Sequence, residues 1–171
     1  LGLEIPERAK AVRTILGEFS RIMDHMVCIA ANLVDLGGLT AFWYAYQARE
    51  EIYSLLEACC GARLTSSYAR IGGLSMDVPP NFVEWCAQLE KSITTHIQEV
   101  DTLLTKNRIF HKRMRGTGVV TKEQAIAWGF TGPCLRASGG TYDVRKDKPY
   151  DWYGEVDFDV PVAAEGDNFS R

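Results

Sequence analysis

The sequence predicts a mainly α protein: a long-helix bundle over residues 1–116, then a loop-rich C-terminal segment over 117–171 with a short helix and short strands. Three observations carry that expectation. Apolar residues recur at helical spacing through three long stretches, glycine or proline pairs punctuate them, and after Gly118 the texture turns to Gly, Pro, Asp and aromatics. At 171 residues the chain is one domain or a piece of one, long enough to bury a core.

The first helix starts near Pro6, a residue suited to a helix start, and carries Val12, Leu16, Phe19, Met23, Met26, Ala30 and Leu33 along one narrow seam. Gly37-Gly38 stop it. A second helix is expected from an N-cap at Thr40 to Cys60, with Phe42, Trp43, Tyr46, Tyr53 and Leu56 as its apolar stripe and Gly61 as its C-terminal stop. The third begins after Pro79-Pro80, because a residue before proline avoids the helical region. Its seam is Phe82, Cys86, Leu89, Ile93, Ile97, Val100 and Leu104, and the helix is expected to run on through "NRIFHKRMRG" to Gly116. Three long helices with one wet face each need one another and a fourth.

Beyond Gly118, "TKEQAIAWGF" reads as a short helix capped by Thr121, with Glu123 and Gln124 in its first turn. "EVDFDVPV" alternates briefly like a strand. The closing "EGDNFSR" has a helix start at Asp167, and this hints at a fragment. No repeat or low-complexity tract is present.

Composition removes several function classes. Hydrophobic residues are 46% and charged residues 24%, as in a globular protein. A net charge of −3 argues against nucleic-acid binding, which wants a basic face. No apolar run approaches the roughly 18–20 residues of a membrane span, and "LGLEIPERAK" lacks the basic and apolar parts of a signal peptide. The five cysteines (Cys28, Cys59, Cys60, Cys86, Cys134) form no C-x-x-C pair and are expected to be buried, reduced thiols that hold no metal.

Candidate chemistry is sparse. His25, His96 and His111 are scattered, and each reads as a packed or solvated side chain. No nucleophile elbow and no phosphate-cradling glycine loop appears. Asp35 sits in "NLVDLGG", a carboxylate in an apolar setting at a helix C-terminus, where the helix dipole disfavours it unless a cation pairs with it. It is either a solvated end residue or an acid that orients a partner in a site. The stretch "GARLTSSYARIGGLSMDVPP" poses the same choice: Arg63 and Arg70 are surface cations or part of an interface loop, with Gly72-Gly73 permitting close approach.

The segments "PERAKAVRTILGEFSRIMDHM", "LVDLGGLTAFWYAYQAREEIYSLLEACCGARLTSSYARIGGLSMDVPP", "LLTKNRIF", "GVVTKEQAIAWGFTGPCLRASG" and "YDVRKDKPYDWYGEVDFDVPV" resemble the D subunit of bacterial NADH-quinone oxidoreductase. That protein is the counterpart of the 49-kilodalton subunit of respiratory complex I. The resemblance runs nearly end to end. It implies the fold of the nickel–iron hydrogenase large subunit without the hydrogenase metal ligands.

It implies further that the chain is a central fragment of a peripheral subunit on the cytoplasmic face of the bacterial inner membrane. With a neighbouring iron–sulfur subunit, the family member forms the cavity in which quinone is reduced, in a complex of the proton-translocating type. Quinone is the substrate, while FMN, NADH and the iron–sulfur clusters belong to other subunits and no cofactor to this chain. Asp35 falls on the family's aspartate that hydrogen-bonds the quinone-site histidine. That histidine and a quinone-site tyrosine precede the matched region, so the isolated fragment is expected to be inactive. The loop with Arg63, Thr65 and Arg70 matches the one that approaches the partner's terminal cluster, and Thr65 stands where many members carry a histidine. Ala48 replaces a commonly acidic residue and is expected to alter only a helix-surface contact.

Two other readings stand beside this one: a piece of a membrane-bound hydrogenase-type large subunit, and a non-catalytic helical docking module. An exposed apolar seam would also let the fragment associate with itself.

Overall fold

The computed structural model describes residues 2–171, which form two compact units, one ending at Lys106 and one spanning Asn107–Arg171. This division falls before the expected boundary at residue 116. The first unit holds three long helices, α1 (Glu7–Asp35), α2 (Leu39–Cys60) and α3 (Phe82–Thr105), and a two-stranded antiparallel hairpin of β1 (Ala69–Arg70) and β2 (Gly73–Leu74). The second holds four short helices: α4 (Arg108–Met114), α5 (Lys122–Ala127), α6 (Gly132–Arg136) and α7 (Val144–Asp147).

α1 buries the seam expected of it, Val12 through Leu33, together with Ala9. Its end is a Schellman turn. The Gly38 N–H donates to the Leu33 carbonyl at 2.7 Å, and the Gly37 N–H to Val34 at 2.9 Å. Gly37 takes φ +88°, and a Cβ on Gly38 would lie 3.2 Å from the Leu33 oxygen. Glycine at both places lets α2 begin almost at once, so α1 and α2 form a tight antiparallel pair.

α2 differs from expectation. Its N-cap is Gly38, and Thr40 lies inside the helix. The buried face is Ala41, Ala45, Ala48, Ile52, Leu55, Leu56 and Cys59, while Trp43 is 64% exposed. The alanines on this face allow close packing between helices, and Phe42, Tyr46 and Tyr53 of the expected stripe pack half-buried against the same core. Ala48 is wholly buried in this core, so its expected place at the helix surface is wrong.

α3 packs on α2 and buries Phe82, Leu89, Ile93 and Val100, with Cys86 half-buried and Ile97 exposed beyond the phase slip. It stops at Thr105. Asn107 then caps a separate helix, its side-chain oxygen accepting from the Ile109 and Phe110 N–H groups at 3.0 and 3.1 Å. His111 therefore lies on α4 and not on the third long helix. Burial of Ile52 and Leu55, both fully covered, contributes about 1.5–3 kcal/mol each.

In the second unit the Thr121 cap forms a full capping box with Gln124. The "EVDFDVPV" segment forms no strand, and the chain's strands lie instead between α2 and α3. Asp167 starts a turn rather than a helix, its carboxylate accepting from the Gly116 N–H at 2.7 Å and from the Ser170 N–H at 2.9 Å. Among the described residues no helix is long and apolar enough to cross a membrane.

Candidate functional site

Asp35 is the last residue of α1. Its side chain is exposed and makes no hydrogen bond or ion pair among the described residues, and the last turn of α1 contains no basic residue. The same end of the α1–α2 pair exposes Val34, Leu39 and Trp43. An exposed carboxyl thus stands at the negative end of a helix dipole, and no cation of the described residues pairs with it.

The 61–80 stretch lies at the other end of α2. Arg63 turns back onto the helix it follows, its guanidinium on Glu50 at 2.5 Å and on Glu57 at 3.0 Å, above the Tyr53 ring. Two carboxylates answer its charge, and its hydrogen bond to Glu57 is the first cause raising its pKa. Arg70 behaves differently. Its carbonyl accepts from Arg13 while its side chain projects into solvent without a partner among the described residues. Thr65 is exposed on the same loop.

The loop is built rather than slack. Gly72, at φ +81°, closes the hairpin and leaves Ile71 80% exposed at its tip. Tyr68 is buried below it and donates its hydroxyl to the Met76 carbonyl at 2.8 Å. Burial pushes that phenol up to about 12. Arg8 on α1 pairs with Asp77 at 3.1 Å and holds the exit of the loop.

These two places are not one site. α2 has 22 residues, so its ends are about 30 Å apart at the usual helical rise. Along it runs a half-buried ladder: Phe42 stacks on Tyr46 at 4.2 Å, and Arg49 lies over Tyr46 and Tyr53. Of the expected stripe, Phe42, Tyr46 and Tyr53 pack half-buried against the core and form this ladder, Leu56 lies in the core itself, and Trp43 is exposed.

The thiols spread out. Cys28 and Cys134 are exposed, Cys60 and Cys86 half-buried, and Cys59 alone buried, so the expectation of five buried thiols holds for one. Among the described residues no three His, Cys, Asp or Glu side chains gather as metal ligands. His96 lies between Glu99 at 3.1 Å and Glu51 of α2 at 3.7 Å and acts as a polar tie between helices.

Sequence reasoning missed two arrangements. Arg13 gave no signal, because its partners are main-chain carbonyls of the hairpin. The other is buried Asp143, which caps α7 and holds Arg136 at 3.1 Å and Arg145 at 2.8 Å. Hydrogen bonding from Arg145 first, then the charges of both arginines, lowers its carboxyl to about 2. An N-cap aspartate before "VRKD" was its only trace in the sequence.

Residues 35–171 match the family described as Respiratory-chain NADH dehydrogenase, 49 Kd subunit. Over 169 residues the chain is 49% identical to the second D subunit of NADH-quinone oxidoreductase from Anaeromyxobacter sp. (strain Fw109-5), covering 99% of this chain and 39% of that protein. It is 43% identical over 171 residues to the second D subunit from Thermodesulfovibrio yellowstonii, covering all of this chain and 43% of the relative. The D subunit from Campylobacter jejuni (strain RM1221) is 45% identical over 170 residues, covering 99% and 42%. The chain thus spans about two-fifths of the length of these relatives. With four-fifths of its residues inside the family match, this chain belongs to the 49-kilodalton subunit family of respiratory-chain NADH dehydrogenase.

Proposed function

We propose that this chain is the part of a quinone-reducing D subunit that brings Asp35 to the quinone cavity and presents the 61–74 loop to an iron–sulfur partner subunit. Asp35 carries the reading. It is exposed at a helix C-terminus, at the end of the α1–α2 pair that also exposes Val34, Leu39 and Trp43. It pairs with no cation among the described residues, and the helix dipole there is unfavourable to a carboxyl by a small amount. A hydrogen-bond donor from outside these residues would remove that cost, and the family resemblance offers one in the quinone-site histidine.

A carboxylate that accepts one imidazole N–H fixes the tautomer and orientation of the ring, and leaves the other nitrogen for the quinone oxygen. It also favours the protonated ring. Reduction of a quinone to a quinol takes up protons along with electrons, so Asp35 would hold a proton at the imidazole where the reduced oxygen needs it. The electrons would come from the partner's cluster, with FMN and the NADH site on other subunits of the complex. On this reading the chain sits peripherally on the cytoplasmic face of the inner membrane.

At the loop, the free side chain of Arg70 is the cation available to a partner's anionic cluster, whereas Arg63 is committed to Glu50 and Glu57. Thr65 cannot titrate near neutrality as a histidine would. In the assembled complex the midpoint potential of the adjacent cluster should therefore vary little with pH, and Thr65→His should make it pH-dependent.

The Arg63 staple favours a second reading, a docking module that shapes an interface and contributes no reacting group. Quinone-reductase activity of the complex with Asp35→Asn separates the two. A slow but assembled enzyme supports the quinone-site role, and an unaltered rate supports docking alone.

A further inference from the structure

The run Lys106–Arg115, "KNRIFHKRMR", holds five cations and no acid, although the chain as a whole is at −3. Its centre is α4. One side of α4 faces inward on Phe169: the Phe110 and His111 rings lie 6.1 and 5.1 Å from that ring, and the Arg115 guanidinium lies 4.4 Å over it. The other side carries Arg108, Ile109 and Lys112, all exposed, with Ile109 at 63%. Arg108 and Lys112 stand one turn apart on that side, at i and i+4, and Arg115 follows where the backbone leaves α4. Arg108 and Lys112 make no ion pair among the described residues, and Arg115 meets only the Phe169 ring. Together with Ile109 and His111 they line an open depression of about 580 Å³.

Unanswered cations around an exposed branched aliphatic side chain match one surface chemistry closely. Anionic phospholipid headgroups neutralise the cations, and the layer just beneath them accepts the isoleucine. A nucleic acid would satisfy the charges, leave Ile109 in water, and meet an otherwise acidic chain. We propose that the α4 face is a docking surface for an anionic lipid headgroup layer. The proposal concerns residues remote in sequence from Asp35 and does not depend on its role.

The test is co-sedimentation of the intact chain with phosphatidylcholine vesicles, with and without phosphatidylglycerol. The unaltered chain should bind only the anionic vesicles. The variant Arg108→Gln, Lys112→Gln, Arg115→Gln should bind about a hundredfold more weakly, at about fivefold per cation. Ile109→Ser should weaken binding several-fold without any change in charge. The control Lys91→Gln, Lys122→Gln, Lys148→Gln removes equal charge elsewhere and should bind as the parent does. All replaced side chains are exposed, and circular dichroism checks that each variant keeps the parent helicity. Indifference to phosphatidylglycerol, or equal loss in the control, overturns the proposal. So does binding to immobilised polyglutamate without binding to vesicles, which would assign the face to an acidic protein.

Discussion

Arg13 on α1 donates to the carbonyl oxygen of Gly73 at 2.7 Å, and the same nitrogen reaches the carbonyl of Arg70 at 2.5 Å. One guanidinium from the first helix thus holds both strands of the hairpin. A backbone segment with so few ladder bonds needs such support. Arg13→Ala should lower the opening free energy of residues 69–74 by about 2 kcal/mol, read as faster amide hydrogen exchange confined to that segment. Arg13→Lys should restore only part of it, because an ammonium lacks the guanidinium fork. Unchanged exchange in Arg13→Ala would mean that Tyr68 and Arg8 hold the loop by themselves.

Ala48 separates a core position from a surface one. Because it is fully buried in the core cluster, Ala48→Glu places a carboxylate in the helix core and should cost about 3 kcal/mol in urea unfolding of the chain. A surface position would tolerate the change within about 0.5 kcal/mol.

Acid should weaken the second unit through Asp143. The ordinary value of 3.8 is lowered to about 2 in the folded chain, so the group stabilises the fold above pH 3.8. That contribution, about 2 kcal/mol, fades as pH falls through about 2. Asp143→Asn should abolish the acid-dependent part while leaving an N-cap acceptor in place. Unfolding curves measured at neutral and acid pH check this, and an unchanged acid transition in the variant would assign it to other carboxylates.

The thiols should label in order of exposure. Burial, followed by the proximity of Cys60 and Cys86, pushes the Cys59 thiol up to about 11, so little thiolate is present near neutrality. Exposed Cys28 and Cys134 should react with a thiol reagent first and Cys59 last, after unfolding. Mass spectrometry of timed samples reads the order.

Much of the architecture was legible where one periodicity dominated. The α1 seam from Val12 to Leu33 was readable because apolar residues recur along it at helical spacing without a break. On α2 the expected stripe holds for Leu56 and, half-buried, for Phe42, Tyr46 and Tyr53. Exposed Trp43 and the buried Ala41, Ala45 and Ala48 were not legible, because close packing between helices selects small side chains that hydrophobicity alone does not mark. The break at Lys106-Asn107 was hidden because "NRIFHKRM" continues the helical pattern, and only the Asn107 cap marks it.

At the candidate site, Asp35 and the 61–74 loop were visible from residue type and family resemblance. Their separation followed from the helix expected between Gly38 and Gly61. The commitment of Arg63 to Glu50 and Glu57 was not legible, because it depends on where the chain folds back after α2, which local sequence does not encode.

The central proposal stands on Asp35, and the most direct measurement is the pH profile of quinone reduction by the assembled complex carrying Asp35→Asn. NADH oxidation by a soluble acceptor in the same preparation serves as the control. The expected result is a quinone-reductase rate at least tenfold lower with a shifted pH optimum, the control reaction unchanged, and partial recovery in Asp35→Glu. A parental rate and a parental pH profile in the assembled Asp35→Asn complex would contradict the role given to this carboxylate.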